Sequence, residues 1–346
     1  MDHEPRRARD LGIVPGSLRP GPLNALTDVP GVFVGHTTVD DGADLHTGVT
    51  AVLFSQLGAA RRTLPCGLFV GNGHGKLVGA TQVQELGVLE TPILLTSTLS
   101  TFRAADALLT YMLAQPGYDD VRTLNPLVGE TNDGFLSDIR RRAITEEHVL
   151  AALAAAGPEL PAEGCVGAGT GTSALGFKSG VGTSSRVVAV DGSAVTLGAL
   201  VQSNFSGLLT VLGVPMPADE LVGVGDAAEM PDGNSCMIVL ATDAPLDARR
   251  LARVARRAVF AMGRVGSDFG GGSGDYAVAV STAPDDLALV PDSAMNGLFA
   301  AAIESVEEAL LNSLFAATTT TGCGHVQHAV PHDQVEARLR ERGVIG

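Results

Sequence analysis

The chain has 346 residues, of which 23 are basic and 38 acidic, so its formal net charge is −15 at pH 7. Glycine is abundant at 43 residues, aromatic side chains make up only 4% of the chain, and 45% of the residues are hydrophobic. The hydrophobic content excludes a disordered chain, the acidic balance disfavours binding to nucleic acid, and no apolar run reaches the roughly 18 residues of a membrane helix. These exclusions predict a soluble, glycine-rich globular protein.

Short apolar runs and helical periodicities alternate along the chain. In the first half, strands are predicted at 51–54, 67–70 and 93–95, and helices follow at 102–113 and 146–155. The second half contains the remaining elements, with strands at 187–190, 195–202, 237–241 and 276–280 and helices at 247–262 and 298–311. Because strands outnumber tight βαβ units, a sheet-rich α+β fold or layered sandwich is favoured over a doubly wound sheet.

Two local signals mark the ends of elements. The pair Asp191-Gly192 between two predicted strands is typical of a hairpin turn. Pro245 precedes the predicted helix at 247–262, and Asp247 at its start can accept hydrogen bonds from its first free amides. That helix has one apolar stripe, formed by Leu251, Val254, Ala258 and Met262.

The start of the chain and its cysteines indicate where the protein works. Residues 1–9 are charged and lack the apolar stretch of a secretory signal. The four cysteines are too scattered for a disulfide scaffold or a paired-cysteine metal site, and lie at positions 66, 165, 236 and 323. We therefore expect a cytoplasmic protein with reduced thiols.

Several familiar motifs are absent. The segment 171–179 (GTSALGFKS) nearly matches a phosphate-binding loop, but Phe177 separates Gly176 from Lys178 and breaks the spacing. Lys178 is one of only two lysines in the chain, Lys76 being the other, and we assign it a structural salt bridge or interface contact. The histidines at 325, 328 and 332 lack Cys or acidic partners at fixed offsets beyond Cys323. We therefore predict neither a metal nor an organic cofactor.

The junction at Asn234-Ser235 is the most informative boundary, because a polar segment at 210–232 changes there into an apolar strand. A serine hydroxyl is a poor nucleophile without a nearby base. If the Asn234–Ser235 bond is cut, the new α-amine of Ser235 titrates near ~7.7–8 and can act as that base. From this motif alone, an ordinary serine between a loop and a strand is the alternative.

The chain resembles the self-processing serine aminopeptidases, a family that includes L-aminopeptidase/D-amidase-esterase and β-peptidyl aminopeptidase. Nine segments in family order carry the resemblance, at 21–38, 71–75 (GNGHG), 91–98, 130–134 (ETNDG), 176–186, 200–204 (LVQSN), 234–245 (NSCMIVLATDAP), 273–275 (SGD) and 312–318. The resemblance implies a single domain over 1–346, folded as a four-layer αββα sandwich that resembles N-terminal-nucleophile hydrolases but has distinct connectivity. It also implies self-cleavage at Asn234/Ser235 into an α part (1–234) and a β part (235–346).

The resemblance also implies a role for individual residues. Ser235 matches the residue that cuts its own chain and then attacks the substrate, and Asn204 matches the side-chain amide that faces the oxyanion. Ser273 and Asp275 match a serine–acid pair that orients the nucleophile's amine. Glu130 matches the carboxylate that binds the substrate's ammonium group.

Two positions depart from the family pattern. Asn132 occupies a position where the best-known members have tyrosine, so it is either a second oxyanion donor or a plain turn-former in Asn-Asp-Gly. Asp275 stands where the family often has the longer glutamate, so a small shift must compensate for the shorter side chain.

The resemblance predicts a hydrolase that releases N-terminal amino acids from small peptides, amides or esters through an acyl-enzyme on Ser235. It further implies a homo-oligomer of processed αβ units, and we expect no nucleic-acid or membrane partner. One alternative is an acyltransferase like the ornithine acetyltransferases, which use threonine at the cleavage point. Another is a non-catalytic scaffold of the same fold. The preference among L-peptides, D-amides or esters, and β-peptides stays open.

Overall fold

The computed structural model describes residues 4–223 and 235–346. The strands of the first range are β1 Val32–Asp40, β2 His46–Phe54, β3 Leu64–Gly73, β4 Leu77–Val78, β5 Val88–Leu89, β6 Ile93–Ser97, β7 Leu127–Thr131, β8 Ser173–Ala174, β9 Phe177–Lys178, β10 Val181–Val190, β11 Ser193–Asn204, β12 Thr210–Val211 and β13 Val214–Pro215. Its helices are α1 Ala80–Leu86, α2 Thr101–Leu113, α3 Glu146–Ala154 and α4 Ala218–Val222. The second range contains β14 Ser235–Thr242, α5 Ala248–Val265, β15 Gly274–Ser281, α6 Asn296–Phe315, β16 Thr320–Gly322, β17 His325–Gln327 and α7 His332–Glu341.

Two large sheets lie at the centre of the described residues. One has five strands in the order β1-β2-β6-β7-β4, and the other has six in the order β10-β11-β14-β15-β3-β5. Successive side chains of a strand point to opposite faces of its sheet, and those on the inner face of each sheet are mostly apolar and must be buried. The facing surfaces share one buried apolar layer, to which Leu95 contributes from the first sheet and Met237 and Val278 from the second. The two sheets therefore pack face to face.

Helices cover the outer face of each sheet. α5 and α6 pack on the six-stranded sheet through a core that includes Met262 and Leu310, and α2 and α3 pack on the five-stranded sheet through Leu108 and Val149. The order helix, sheet, sheet, helix confirms the predicted α+β sandwich of four layers. No helix in the described ranges is both long enough and apolar enough to cross a membrane.

The elements predicted from local pattern are present. Every predicted strand lies inside an observed strand, and the four predicted helices correspond to α2, α3, α5 and α6 with small differences at their ends. Asp191 (φ 49°) and Gly192 (φ 82°) are both left-handed, as the tight turn between β10 and β11 requires. Asp247 accepts from the backbone N–H of Arg250 at 2.8 Å and so caps α5.

The abundance of glycine follows in part from the close approach of helices to the sheet. A Cβ at Gly67 of β3 would overlap the backbone of Ala252 in α5, and one at Gly182 of β10 would overlap the backbone of Ala309 in α6. Both positions let a helix backbone lie directly on a strand, which larger residues would prevent.

Strand register determines where Ser235 lies. β14 pairs antiparallel with β11 and parallel with β15, so Ser235 is opposite Asn204 on one side and Gly274 on the other. Asn204 is the last residue of its strand, and Ser235 and Gly274 are each the first of theirs. The ends of these three neighbouring strands therefore lie side by side at one end of the six-stranded sheet.

Candidate active site

Ser235 begins β14 and points toward the space between the two sheets, since Met237 and Val239, which follow at alternate positions, lie in the layer between the sheets. The residue is 4% exposed. Its Oγ accepts a hydrogen bond from the backbone N–H of Gly274 at 3.3 Å. Cys236, the next residue, is buried on the helix-covered side of the sheet, as its alternation predicts. The hydroxyl is therefore held at a strand end where its neighbours are fixed by β-pairing.

Asn204 presents a free amide donor beside Ser235. Its Oδ1 accepts from the backbone N–H of Ser173 at 3.1 Å, which fixes the orientation of the amide plane. Within residues 4–223 and 235–346, its Nδ2 has no acceptor at hydrogen-bond distance. An oriented N–H donor without an acceptor is suited to stabilise an oxyanion that develops next to the serine.

Ser273 and Asp275 form a hydrogen-bonded pair at the start of β15. Ser273 Oγ donates to Asp275 Oδ1 at 2.7 Å, and Asp275 is opposite Cys236, the neighbour of Ser235. Burial raises the pKa of Asp275 to about 6, although the hydrogen bond from Ser273 acts in the opposite direction. Its Oδ2 is buried without a well-formed hydrogen bond to the described residues. This oxygen can accept a further hydrogen bond.

Glu130 lies near the end of β7 in the facing sheet. The side chain is 3% exposed, and its Oε1 accepts from the backbone N–H of Lys76 at 2.9 Å. The Nζ of Lys76 lies 3.5 Å from the same oxygen. The residue before Glu130 is Gly129, where a Cβ would meet the side chain of Met237 on β14. The strands that carry Glu130 and Ser235 are therefore in contact across the two sheets.

The loop of residues 74–76 joins the two halves of the site. His74 donates its backbone N–H to the carbonyl of Ser273 at 3.1 Å, and the Tyr276 hydroxyl donates to the carbonyl of Gly75 at 3.0 Å. Burial raises the pKa of Tyr276, and the negative charges of Glu130 and Asp275 raise it further, against the hydrogen bond to Gly75. The ring therefore lies near both carboxylates, and the loop holds Glu130 beside β15.

Asn132 forms a local turn. Its Oδ1 accepts from the backbone N–H of Gly134 at 3.0 Å, which is the turn-forming alternative that the Asn-Asp-Gly sequence predicts. Its Nδ2 has no acceptor among the residues that the structure describes, so a donor role for it stays a prediction. Asn234, the other half of the predicted cleavage site, lies outside the described residues.

Sequence reasoning missed two polar residues near the site. Asp133 is 1% exposed, accepts from Ser97 Oγ at 2.6 Å, and has its pKa raised to about 6 by burial. Gln202 of β11 crosses between the sheets, and its Nε2 donates to Thr131 Oγ1 of β7 at 2.8 Å. Gln202 could have been found, because a polar glutamine stands in the largely apolar strand predicted at 195–202. Asp133 gave no such signal, because it lies within the turn sequence Asn-Asp-Gly.

The remaining candidates have structural contacts. Lys178 is buried, and its Nζ donates to the carbonyls of Gly169 and Ser179; among the described residues no carboxylate lies within 4.0 Å of it. The expected salt bridge is therefore not present in this part of the chain. His325 stacks on Phe135 with ring centroids 4.3 Å apart. In residues 4–223 and 235–346, no three or more His, Cys, Asp or Glu side chains are grouped as metal ligands.

Comparison with known proteins identifies relatives along nearly the whole chain. The profile of peptidase family S58 matches residues 24–327. A beta-peptidyl aminopeptidase from Sphingosinicella xenopeptidilytica is 39% identical, over 97% of this chain and 91% of its own.

Solved structures give the same result. A protein from Pyrococcus horikoshii superposes with a TM-score of 0.90 at 41% identity and covers 98% of this chain and 100% of its own. The L-aminopeptidase D-Ala-esterase/amidase from Ochrobactrum anthropi superposes with a TM-score of 0.87 at 34% identity, over 98% of this chain and 99% of its own. That enzyme is described as a prototype of the serine aminopeptidases and as a new variant of the Ntn hydrolase fold.

Proposed function

The chain belongs to peptidase family S58, and we propose that it is a self-processing serine aminopeptidase that releases N-terminal amino acids from peptides, amides or esters. The aminopeptidase relatives support a hydrolase rather than an acyltransferase or a non-catalytic scaffold. The observation that carries the proposal is the meeting of Ser235, Asn204 and the Ser273–Asp275 pair at the end of β14. These are the parts that a nucleophile with its own amine as base requires.

The first step we propose is cleavage of the chain itself. Ser235 Oγ attacks the carbonyl carbon of Asn234, the peptide C–N bond breaks as an ester forms, and water hydrolyses that ester. The products are an α part of residues 1–234 and a β part of residues 235–346, whose first residue has a free α-amine. That amine takes up protons near ~7.7–8, so a neutral fraction is available as a base near pH ~7.

We assign to the carboxyl group of Asp275 the role of orienting the new amine. It stands opposite Cys236 in the register, one residue from Ser235, and its buried Oδ2 lacks a well-formed bond to the described residues. An ammonium next to it favours the charged carboxylate and so opposes the effect of burial on its pKa. The pair Ser273–Asp275 therefore holds the amine beside the hydroxyl that it activates.

Substrate hydrolysis then uses the same groups. The ammonium of the substrate pairs with Glu130, Ser235 Oγ attacks the first carbonyl carbon, and Asn204 Nδ2 donates to the oxyanion. The α-ammonium of Ser235 gives its proton to the leaving amine as the C–N bond breaks. Water then attacks the acyl-enzyme ester and releases the amino acid. The second oxyanion donor in this scheme is a backbone amide or Asn132.

Mass spectrometry and a substrate panel test the proposal. Purified protein should convert on incubation to a fragment of residues 235–346, and the Ser235→Ala variant should stay intact. The processed enzyme should hydrolyse amino-acid p-nitroanilides and leave acetyl-ornithine unused as an acyl donor. An intact chain that nonetheless hydrolyses the anilides would contradict self-processing. A processed chain that transfers acetyl groups and hydrolyses no anilide would contradict the aminopeptidase.

We further propose that processed αβ units associate into a homo-oligomer. Large apolar side chains lie on the surface of the described residues, with Leu86 at 66%, Phe102 at 67% and Phe260 at 55% exposure. Phe102 of α2 and Phe260 of α5 lie on opposite outer layers of the sandwich, so each outer layer offers an exposed apolar side chain to a neighbouring unit. Light scattering should give a molar mass several times the 35.3 kDa of one chain. A mass of one chain across the working concentration range would contradict association.

A further inference from the structure

Lys76 occupies the place next to Glu130 that the substrate's ammonium needs. Its backbone N–H and its side chain both face Glu130 Oε1, at 2.9 Å and 3.5 Å. Its Nζ also donates to Thr98 Oγ1 at 2.8 Å. In the described residues, Lys76 is the basic side chain that lies within 4.0 Å of Glu130. The carboxylate proposed to hold a substrate amine is therefore already neutralised by an amine of the protein.

The two partners differ in their exposure. The Glu130 side chain is 3% exposed, whereas the Lys76 side chain is 40% exposed. Lysine has a flexible four-carbon stem, so its ammonium can turn away while its backbone N–H keeps the hydrogen bond to Glu130. The geometry thus places a movable positive charge at the solvent side of a fixed, buried negative charge.

A substrate ammonium at Glu130 brings a second positive charge next to Lys76. Two cations share one carboxylate poorly, because their mutual repulsion opposes binding. A second carboxylate, supplied by the side chain of the substrate's first residue, removes this repulsion by giving the displaced lysine a partner. A basic side chain at the same place adds a third cation.

We propose that Lys76 is a specificity-determining residue that selects substrates whose N-terminal residue carries an acidic side chain. This inference rests on the proposed function, since it places the substrate's first residue against the ion pair of Glu130 and Lys76. The substrate ammonium displaces Nζ from Glu130, and Nζ pairs with the side-chain carboxylate of the same residue. Peptides and amides with N-terminal aspartate or glutamate are the class that this pair of charges selects.

Matched p-nitroanilide substrates test the assignment. Glutamate and glutamine p-nitroanilides have nearly the same shape and differ in charge, so their kcat/KM ratio isolates the contribution of the carboxylate. The processed wild-type enzyme should prefer glutamate by roughly five- to tenfold, as expected for a partly exposed charged hydrogen bond. Lysine p-nitroanilide should be the poorest of the series, and added salt should reduce the glutamate preference.

Variants of Lys76 show whether this residue selects acidic substrates or only supports the loop of residues 74–76. Lys76→Met keeps the stem and removes the charge, so the glutamate-to-glutamine ratio should fall to about one. The same variant should bind alanine p-nitroanilide with lower KM, because the competing ammonium is gone. Lys76→Glu should favour the lysine substrate. Arg122→Met is the control for loss of one positive charge, since Arg122 is exposed and its side chain donates to backbone carbonyls of its own loop.

Three results would overturn the inference. A wild-type ratio near one would show that the acidic side chain has no partner, and a ratio that Lys76→Met leaves unchanged would show that the partner is another residue. Equal losses of kcat on all substrates in Lys76→Met would show that Lys76 only supports the loop. In each of these cases alanine p-nitroanilide is still cleaved by the wild type, so the proposed function stands. If no anilide is cleaved and no fragment begins at Ser235, the proposed function fails and this inference fails with it.

Discussion

At the scale of single residues, two buried carboxyl groups near the site have similar surroundings. Burial raises the pKa of Asp133 and of Asp275 to about 6, and in each case a serine hydroxyl donates one hydrogen bond that opposes the rise. For Asp275 the proposed α-ammonium of Ser235 supplies a compensating charge. Among the described residues, Asp133 has no basic side chain within 4.0 Å. Its charged form is therefore costly in the folded protein.

Replacing Asp133 should change how stability depends on pH. Its pKa lies at about 6 in the folded chain against an ordinary 3.8, so between these values the folded state keeps a proton that the unfolded state has released. The free energy of unfolding therefore falls as pH rises through this window, by up to roughly 3 kcal/mol. Asp133→Asn does not titrate and should lose this decline. Urea unfolding from about pH 4 to about pH 7 measures the free energy of unfolding of the wild type and of the variant. An equal decline with pH in the two proteins would contradict the raised pKa of Asp133.

Replacing Asn204 tests the oxyanion donor. Asn204→Asp keeps an oxygen acceptor for the backbone N–H of Ser173 but removes the Nδ2 donor. We expect kcat to fall by roughly 10²–10³-fold with little change in KM. The assay uses alanine p-nitroanilide, with the processed fraction measured by mass spectrometry.

A matched control comes from the partner of Asn204. Ser173→Ala keeps the backbone N–H that orients Asn204, and its own Oγ is buried without a hydrogen bond to the described residues. This variant should keep nearly full kcat. Equal losses in the two variants would show that packing, rather than a lost donor, lowers the activity.

At the scale of elements, the site depends on how closely helices and strands approach. α5 lies on β3 where Gly67 leaves no room for a side chain, and β3 leads directly into the loop of residues 74–76. A shift of β3 would therefore move Lys76 and the backbone groups that hold Glu130 and Ser273.

Gly67→Ala should destabilise this contact. The new Cβ would overlap the backbone of Ala252, so α5 or β3 must move, at a cost of about 1–3 kcal/mol. Gly58→Ala is the matched control, because a Cβ there meets nothing within 4 Å and its backbone is not left-handed. Urea unfolding should show a lower midpoint for the first variant alone. Equal midpoints for both would contradict the close approach.

At the scale of the whole molecule, the proposed cleavage divides one sheet between two chains. β14 and β15 belong to the β part, and they lie between β11 and β3 of the α part in the six-stranded sheet. α5 and α6 of the β part cover that same sheet. The two parts therefore share both a hydrogen-bonded ladder and an apolar core.

We expect the two parts to remain together after cleavage. Their separation would expose four strand edges, those of β11, β14, β15 and β3, and the shared core, so the processed enzyme should elute from a gel-filtration column as one species that contains both fragments. Its thermal unfolding should show a single transition in calorimetry. Elution of the two fragments at different volumes in native buffer would contradict the shared sheet.

Among the described residues, local sequence patterns predicted seven of the strands and four of the helices, but not β1 or β7. The hairpin at Asp191-Gly192 and the cap at Asp247 depend on contacts within a few residues, so their side chains and backbone preferences are sufficient to predict them. Cys236 lies in the core on the helix-covered side of the sheet, because side chains alternate along β14. The family resemblance supplied Ser235, Asn204, Ser273, Asp275 and Glu130 as candidates, but not their contacts.

The sequence by itself determined seven of the strands, the helices α2, α3, α5 and α6 that pack on the sheets, the α+β sandwich and the candidate nucleophile, because these follow from periodicity, turn chemistry and recognisable segments. Only the tertiary structure decided that Asn204 and Gly274 flank Ser235 and that Lys76 faces Glu130. These contacts join residues far apart in the chain and depend on strand register, on sheet-to-sheet packing and on one loop. Burial, which raises the pKa of Asp133 and Asp275, is also a property of the folded chain. No local pattern contains that information.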